Sequence, residues 1–130
     1  MNQLWLELRT PVGLLVNAPV DSIVAEDLDG WFGIRSGRSD LLAVLQPGLL
    51  SFRDSEGEAY VALAAGLLDL HQNRCRVCAR EAVLARELSD IAELVDAFAR
   101  GRAARQKAHS GAMLDLIREA ERRLLEGLRA

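Results

Sequence analysis

The chain has 130 residues and a mass of 14.3 kDa, is half hydrophobic and 27% charged, and has a mean hydropathy near zero. A chain of this size buries about two-thirds of its unfolded surface, enough for one core without disulfide or metal staples, so two separate catalytic domains are excluded. A formal charge of -3 and a pI near 5.4 argue against a wholesale nucleic-acid binder.

The charge is unevenly spread. Four Arg face ten Asp and Glu up to Leu70, whereas twelve Lys and Arg face nine acids from His71 onward, so the character of the chain changes near residues 70–85. No opening stretch has the basic, apolar and small-residue succession of a secretory signal. The longest nearly apolar run, Tyr60 to Leu68, is far too short to cross a bilayer. The chain is expected to stay in the cytoplasm, docking at most on a membrane complex.

The first two-thirds is punctuated like an all-β domain. Leu4, Leu6 and Leu8 alternate with Trp5, Glu7 and Arg9; Thr10-Pro11 turns the chain, and Val12, Leu14 and Val16 take up the same beat. Asn17-Ala18-Pro19 reads as a break, and Val20 to Ala25 as a third strand ending at the acidic turn from Glu26 to Gly30. Further strands are predicted over Trp31 to Ile34, Leu41 to Leu45, Leu49 to Phe52, Ala59 to Ala64, Leu67 to Leu70 and Cys75 to Ala79. Short strands with turn signals every eight to twelve residues or so indicate a sandwich or barrel.

After about Val83 the period changes. Leu88, Ile91, Ala92, Val95, Phe98 and Ala99 fall on one helical stripe, with Ser89 as N-cap and Asp90 and Glu93 suited to the positive end of the dipole. His109-Ser110-Gly111 interrupts the run, and Met113, Ile117, Ala120, Leu124 and Leu128 draw a second stripe. Two such helices with a short break pack antiparallel. The predicted architecture is a β-sandwich of about ten strands over residues 1–86, followed by an antiparallel α-helical hairpin over residues 87–130.

The chain carries no P-loop, dinucleotide fingerprint, nucleophile elbow or His-Glu metal helix motif, so no catalytic, cofactor-binding or metal-ligating residue is assigned. His71 and His109 read as solvated turn residues, and Asp27 with Asp29 as an exposed acidic turn. Cys75 and Cys78 have the spacing of a redox half-site but lie in an alternating polar and apolar run. Strand geometry sends them to opposite faces with Cα atoms about 10 Å apart, beyond disulfide reach. Gly33 to Ser39, with Arg35 and Arg38, is the segment best suited to cradle an anion. The run from Arg100 to Lys107 has too few cations for more than weak, salt-sensitive nucleic-acid binding. Arg118, Arg122 and Arg123, beside Glu119, Glu121 and Glu126 on the second helix, read either as a solvated face or as a surface for an acidic partner, since Arg pairs bidentately with carboxylates.

The ordered set Gly30-x-x-Gly33-Ile34-x-x-Gly37-x-x-x-Leu41-Leu42-x-x-Leu45-x-Pro47-Gly48 resembles the epsilon subunit of the rotary F-type ATP synthase. The resemblance continues through Ala62 to Leu70 and Val77 to Ala82, covering about residues 3 to 90, and the helical pair follows in the family's order. It implies a non-catalytic subunit of the central stalk, peripheral to the cytoplasmic face of a bacterial inner membrane. Its implied partners are the gamma subunit, the c-ring and the alpha and beta subunits, with no nucleic acid. In the family the sandwich binds gamma and rests on the c-ring, and the hairpin either folds against the sandwich or extends to restrain ATP hydrolysis.

Carried over by position, the family's ring-approaching loop matches Gly30-Trp31-Phe32-Gly33, and Arg38 stands where the family has a His near gamma. Trp31, Phe32 and Arg38 are therefore candidate partner-binding residues, joined by Arg118, Arg122 and Arg123 of the hairpin. Ser36 and Asp40 replace two family prolines. The nucleotide-binding signature is not kept in Leu88 to Leu94, so no ATP-sensing role carries over. These departures resemble the divergent copies found in N-type rotary ATPases. From a different class, the rival reading is a free-standing anion- or ligand-binding β-domain using the loop from Arg35 to Ser39.

Overall fold

A computed structural model describes residues 3–101 together with 122 and 123. Ten strands follow in chain order: β1 (Leu4–Thr10), β2 (Gly13–Val20), β3 (Ser22–Asp27), β4 (Gly30–Arg35), β5 (Leu41–Leu45), β6 (Gly48–Asp54), β7 (Gly57–Leu63), β8 (Gly66–His71), β9 (Arg74–Ala79) and β10 (Ala82–Ala85). A helix, α1, runs over residues 88–101. The strands form two five-stranded sheets, ordered β2-β1-β9-β8-β5 and β10-β7-β6-β3-β4. The pairs are antiparallel except β1 with β9, which run parallel in the register Leu6 to Cys75 and Leu8 to Val77. The chain passes from one sheet to the other at β2–β3, β4–β5, β5–β6, β7–β8 and β9–β10.

Alternation builds the core. Leu4, Leu6 and Leu8 of β1 are fully buried, as are Ile23 of β3, Leu50 of β6, Val61 of β7, Leu68 of β8 and Val77 of β9, from both inner faces. No polar or charged side chain is buried among the described residues, and none of their buried side-chain polar atoms lacks a partner. Such an interior holds one rigid shape and offers no buried titratable pair for chemistry.

Several boundaries differ from the sequence expectation. The run Asn17-Ala18-Pro19 is no break: β2 continues through it, with Pro19 opposite Trp5. Because β2 is a sheet edge, a proline there forfeits no ladder hydrogen bond. Val12 is 98% exposed in the turn between β1 and β2 rather than on the strand. A register shift at Leu8/Arg9 displaces the beat, so Val16 is buried while Leu14 faces out. The third strand begins at Ser22 rather than Val20, after Asp21 donates its N–H to the Arg53 carbonyl at 2.7 Å. A tenth strand, β10, precedes the change of period. Ser89 lies inside α1 rather than capping it; the Glu87 carbonyl accepts the Asp90 N–H at 3.1 Å.

Along α1, Ile91 is buried and Ala92, Val95, Phe98 and Ala99 half-buried, while Leu88 of the predicted stripe is exposed. Glu93, Asp96 and Arg100 face solvent. Of the expected second helix, Arg122 and Arg123 are helical and exposed; Arg118 and the rest lie outside the described residues.

The glycines of the ordered motif have a physical reason. Gly30, Gly37 and Gly48 adopt φ of 122°, 87° and 146°, a region side-chain-bearing residues rarely enter. Gly66 is held by space instead: a Cβ there would stand 3.1 Å from Leu63 Cδ1.

Candidate partner-binding surface

Trp31 and Phe32 lie on β4 and Arg38 in the loop after it; β4 pairs with β3 on one side and, among the described residues, leaves its other edge open. Strand geometry separates Trp31 from Phe32. Trp31, opposite Glu26, points outward and is 57% exposed, whereas Phe32, opposite Ala25, packs against the core. Val24, at 40% exposure, and Leu28, at 55%, leave two more large apolar side chains uncovered at the same β3–β4 corner. Sequence reasoning found Trp31 but missed Val24 and Leu28. The alternation of β3, which sends Ile23 and Ala25 inward, was the signal for Val24.

Arg38 lies in the loop after β4 and folds back along the strand. Its Nη1 donates to the Gly33 carbonyl at 2.9 Å, and its guanidinium carbon stands 5.9 Å from the centre of the Phe32 ring. The cation thus occupies an edge carbonyl and lies over an aromatic face, which blunts an otherwise open sheet edge. The structure brings Phe32 and Arg38 together and leaves Trp31 on the other side of the same strand.

The loop from residue 36 to 40 is fastened to the β8–β9 turn. Gln72 and Asn73 of that turn have φ of 47° and 64°, as a two-residue hairpin requires. Asn73 Oδ1 accepts the Gly37 N–H at 2.7 Å, Asp40 Oδ1 accepts the Gln72 N–H at 3.2 Å, and His71 Nδ1 lies 2.7 Å from Asp40 Oδ2. The Gln72 amide, then the His71 ring, holds the Asp40 carboxyl below the usual range. The sequence marked Asp40 only as the replacement of a family proline and gave Asn73 no role. An Asn in a two-residue turn signals its own backbone conformation, but its reach across 36 residues depends on the sheet order.

These contacts bear on the anion-cradle reading. The Gly37 N–H and the Arg38 guanidinium, which would face an anion, are both engaged within the protein. His71 meets a carboxylate, as an enzyme reading would want, but both side chains are more than half exposed. Cys75 is buried and Cys78 exposed, as alternation predicts, and burial pushes the Cys75 thiol up to about 12, with Asp69 adding to the shift. No group of metal-ligating side chains occurs among the described residues, and no helix in them is long and apolar enough to cross a membrane.

A groove of about 770 Å³ runs along the outer face of β5, β8 and β9, where Leu42, Leu67, Asp69, Arg74 and Arg76 meet Arg123. Arg123 therefore stands beside the first sheet, and both it and Arg122 are engaged within the chain.

Residues 3–85 match the family described as ATP synthase, Delta/Epsilon chain, beta-sandwich domain. ATP synthase epsilon chain 2 of Cereibacter sphaeroides is 35% identical over 130 residues, covering 92% of this chain and 89% of the relative. The ATP synthase epsilon chain of Rhodospirillum rubrum is 30% identical over 117 residues, covering 89% and 81%. A chain in the Euglena gracilis mitochondrial ATP synthase superposes with a TM-score of 0.61 at 21% identity, over 85% of this chain and 69% of that one. One in the central stalk and c-ring of the Tetrahymena thermophila enzyme gives 0.54 at 22% identity, over 62% and 66%. These two likenesses show the shared fold. With the sandwich matched along its length and curated relatives matched over most of both chains, the chain belongs to the ATP synthase epsilon-chain family.

Proposed function

We propose that this epsilon subunit, non-catalytic and peripheral to a membrane complex, is a rigid adaptor of the central stalk, docking gamma and the c-ring through the β4 side of its sandwich. The observation that carries the reading is the corner formed by Trp31, Val24 and Leu28, three large apolar side chains left in water by a fold that turns the other β3 and β4 apolar residues toward the core. Trp and Arg supply much of the binding energy where they are buried at interfaces. In this reading Trp31 and Arg38 meet partners on the two sides of β4, and Phe32 holds Arg38 in place from within.

The C-terminal segment is the second working part, a helical brake on ATP hydrolysis. Arg123 beside the first sheet supports a folded-back resting pose. Release would present the arginines of this segment, Arg118, Arg122 and Arg123, to acidic groups on the alpha and beta subunits. The relative from Cereibacter sphaeroides is named as a second epsilon chain, which supports reading this chain as the N-type copy. Its place is the cytoplasmic face of a bacterial inner membrane.

The brake is tested by deleting residues 110–130 and measuring ATP hydrolysis by the assembled complex. A raised rate is expected. Equal rates with and without the segment would remove the inhibitory role.

A further inference from the structure

Only Arg86 and Glu87 separate the end of β10 from the first residue of α1. Arg86 does not point idly into solvent. Its Nη1 and Nη2 donate to Oδ1 and Oδ2 of Asp54 at 3.0 and 2.9 Å, and Nη2 lies 3.3 Å from Glu56 Oε2. Asp54 ends β6, and its Oδ1 also accepts the Glu56 N–H at 2.9 Å, so the carboxylate is fixed by its own turn before Arg86 reaches it. The Asp54 side chain is 14% exposed, against 43% for Arg86. A planar fork on a planar carboxylate fixes orientation as well as distance, which a single contact does not.

This contact spans 32 residues and ties the exit of the sandwich to the β6–β7 hairpin. The strand it protects is weak by construction. β10 has four residues and lies at a sheet edge; among the described residues it pairs with β7 alone, over Ala82 to Leu63 and Ala85 to Tyr60. A force on α1 would pull directly on that short ladder unless something between them bore the load.

We propose that the Arg86–Asp54 pair is a strand-to-helix lock: it anchors the chain at residue 86, places the pivot of the C-terminal segment at Glu87, and keeps motion of α1 from unzipping β10. The proposal deepens the reading of the C-terminal segment as a moving part. Arg86 acts as a positioning residue, through α1 and β10.

Hydrogen exchange on the full-length isolated chain tests the lock without any ATPase assay. R86A and D54N each should speed exchange over residues 82–85 and 88–101 by about fivefold to thirtyfold while leaving β1 and β9 unchanged. D54N retains an oxygen for the Glu56 N–H and so spares the turn. R86K keeps the charge but not the fork, and should remain closer to R86A than to the parent. R86A with D54N together should be no worse than either alone. Unchanged exchange over residues 82–101 in R86A, or equal acceleration in β1 and β9, would overturn the proposal. A failed deletion test with intact lock behaviour would instead remove the brake and leave the lock standing.

Discussion

Trp31 and Phe32 are adjacent in sequence and point to opposite faces of β4, which lets docking be separated from folding. Trp31 is 57% exposed, so roughly 140 Å² of a side chain that presents about 250 Å² stands in water. Burying that area at an interface is worth up to about 3.5 kcal/mol at ~25 cal/mol per Å². Part of this is offset by ordering, so truncation is expected to cost about 2–3 kcal/mol of binding, a weakening of about 30-fold to 150-fold. Trp31→Ala should leave the fold nearly untouched, since surface substitutions stay within about 0.5 kcal/mol. Phe32→Ala should act chiefly on the fold, reaching docking only through the loosened Arg38. Its ring packs on the core, and a half-buried Phe lost without replacement costs about 2 kcal/mol, lowering Tm by about 8 °C. Titration of each variant into ATP synthase stripped of this subunit, beside thermal melts of the isolated chain, reads both quantities. Equal affinity of Trp31→Ala and the parent, or a Trp31→Ala melt as low as that of Phe32→Ala, would refute the assignment of the two faces.

Asn73→Ala should destabilise the chain by about 1–2 kcal/mol in urea unfolding, since it loses both a tolerated left-handed residue and the bond to Gly37. Asn73→Gly restores the turn but not the bond, and should recover about half. Cys78 should react with a thiol reagent in the native chain while Cys75 reacts only on unfolding, as buried and exposed positions demand; mass spectrometry of the labelled peptides decides. Asp40 and Asp54 are both held below the ordinary aspartate value, Asp40 first by the Gln72 amide and Asp54 first by Arg86. The unfolded chain therefore binds protons before the folded one. Their stabilisation is complete above about pH 4 and is lost as pH falls further, so urea midpoints should drop on acidification, and less so in Asp54→Asn.

Much of the sandwich was legible because its core residues alternate cleanly: Leu4, Leu6 and Leu8, or Cys75 and Val77, announce both strand and inner face. The sites that misled share one cause, which is that tertiary position overrides a local signal. Pro19 reads as a breaker, yet an edge strand has no use for the N–H it lacks. Val12 continues an apolar beat that the bulge at Leu8/Arg9 and the turn interrupt. β10 is four residues of small and aliphatic character, indistinguishable from the approach to a helix until β7 is beside it. The candidate surface was legible in part. Trp31 stood out by type, but the fold of Arg38 onto Phe32 and Gly33, and the fastening of its loop by Asp40 and Asn73, follow from β8 and β9 sharing a sheet with β5.

The β4 corner and the C-terminal segment serve their proposed ends only if this chain is held in the stalk of a rotary ATP synthase. Recovery of the tagged full-length chain from native membranes under mild detergent, with its companions identified by mass spectrometry, decides whether it is held there. Gamma, alpha and beta subunits should come with it. Recovery of the free monomer alone would contradict that placement.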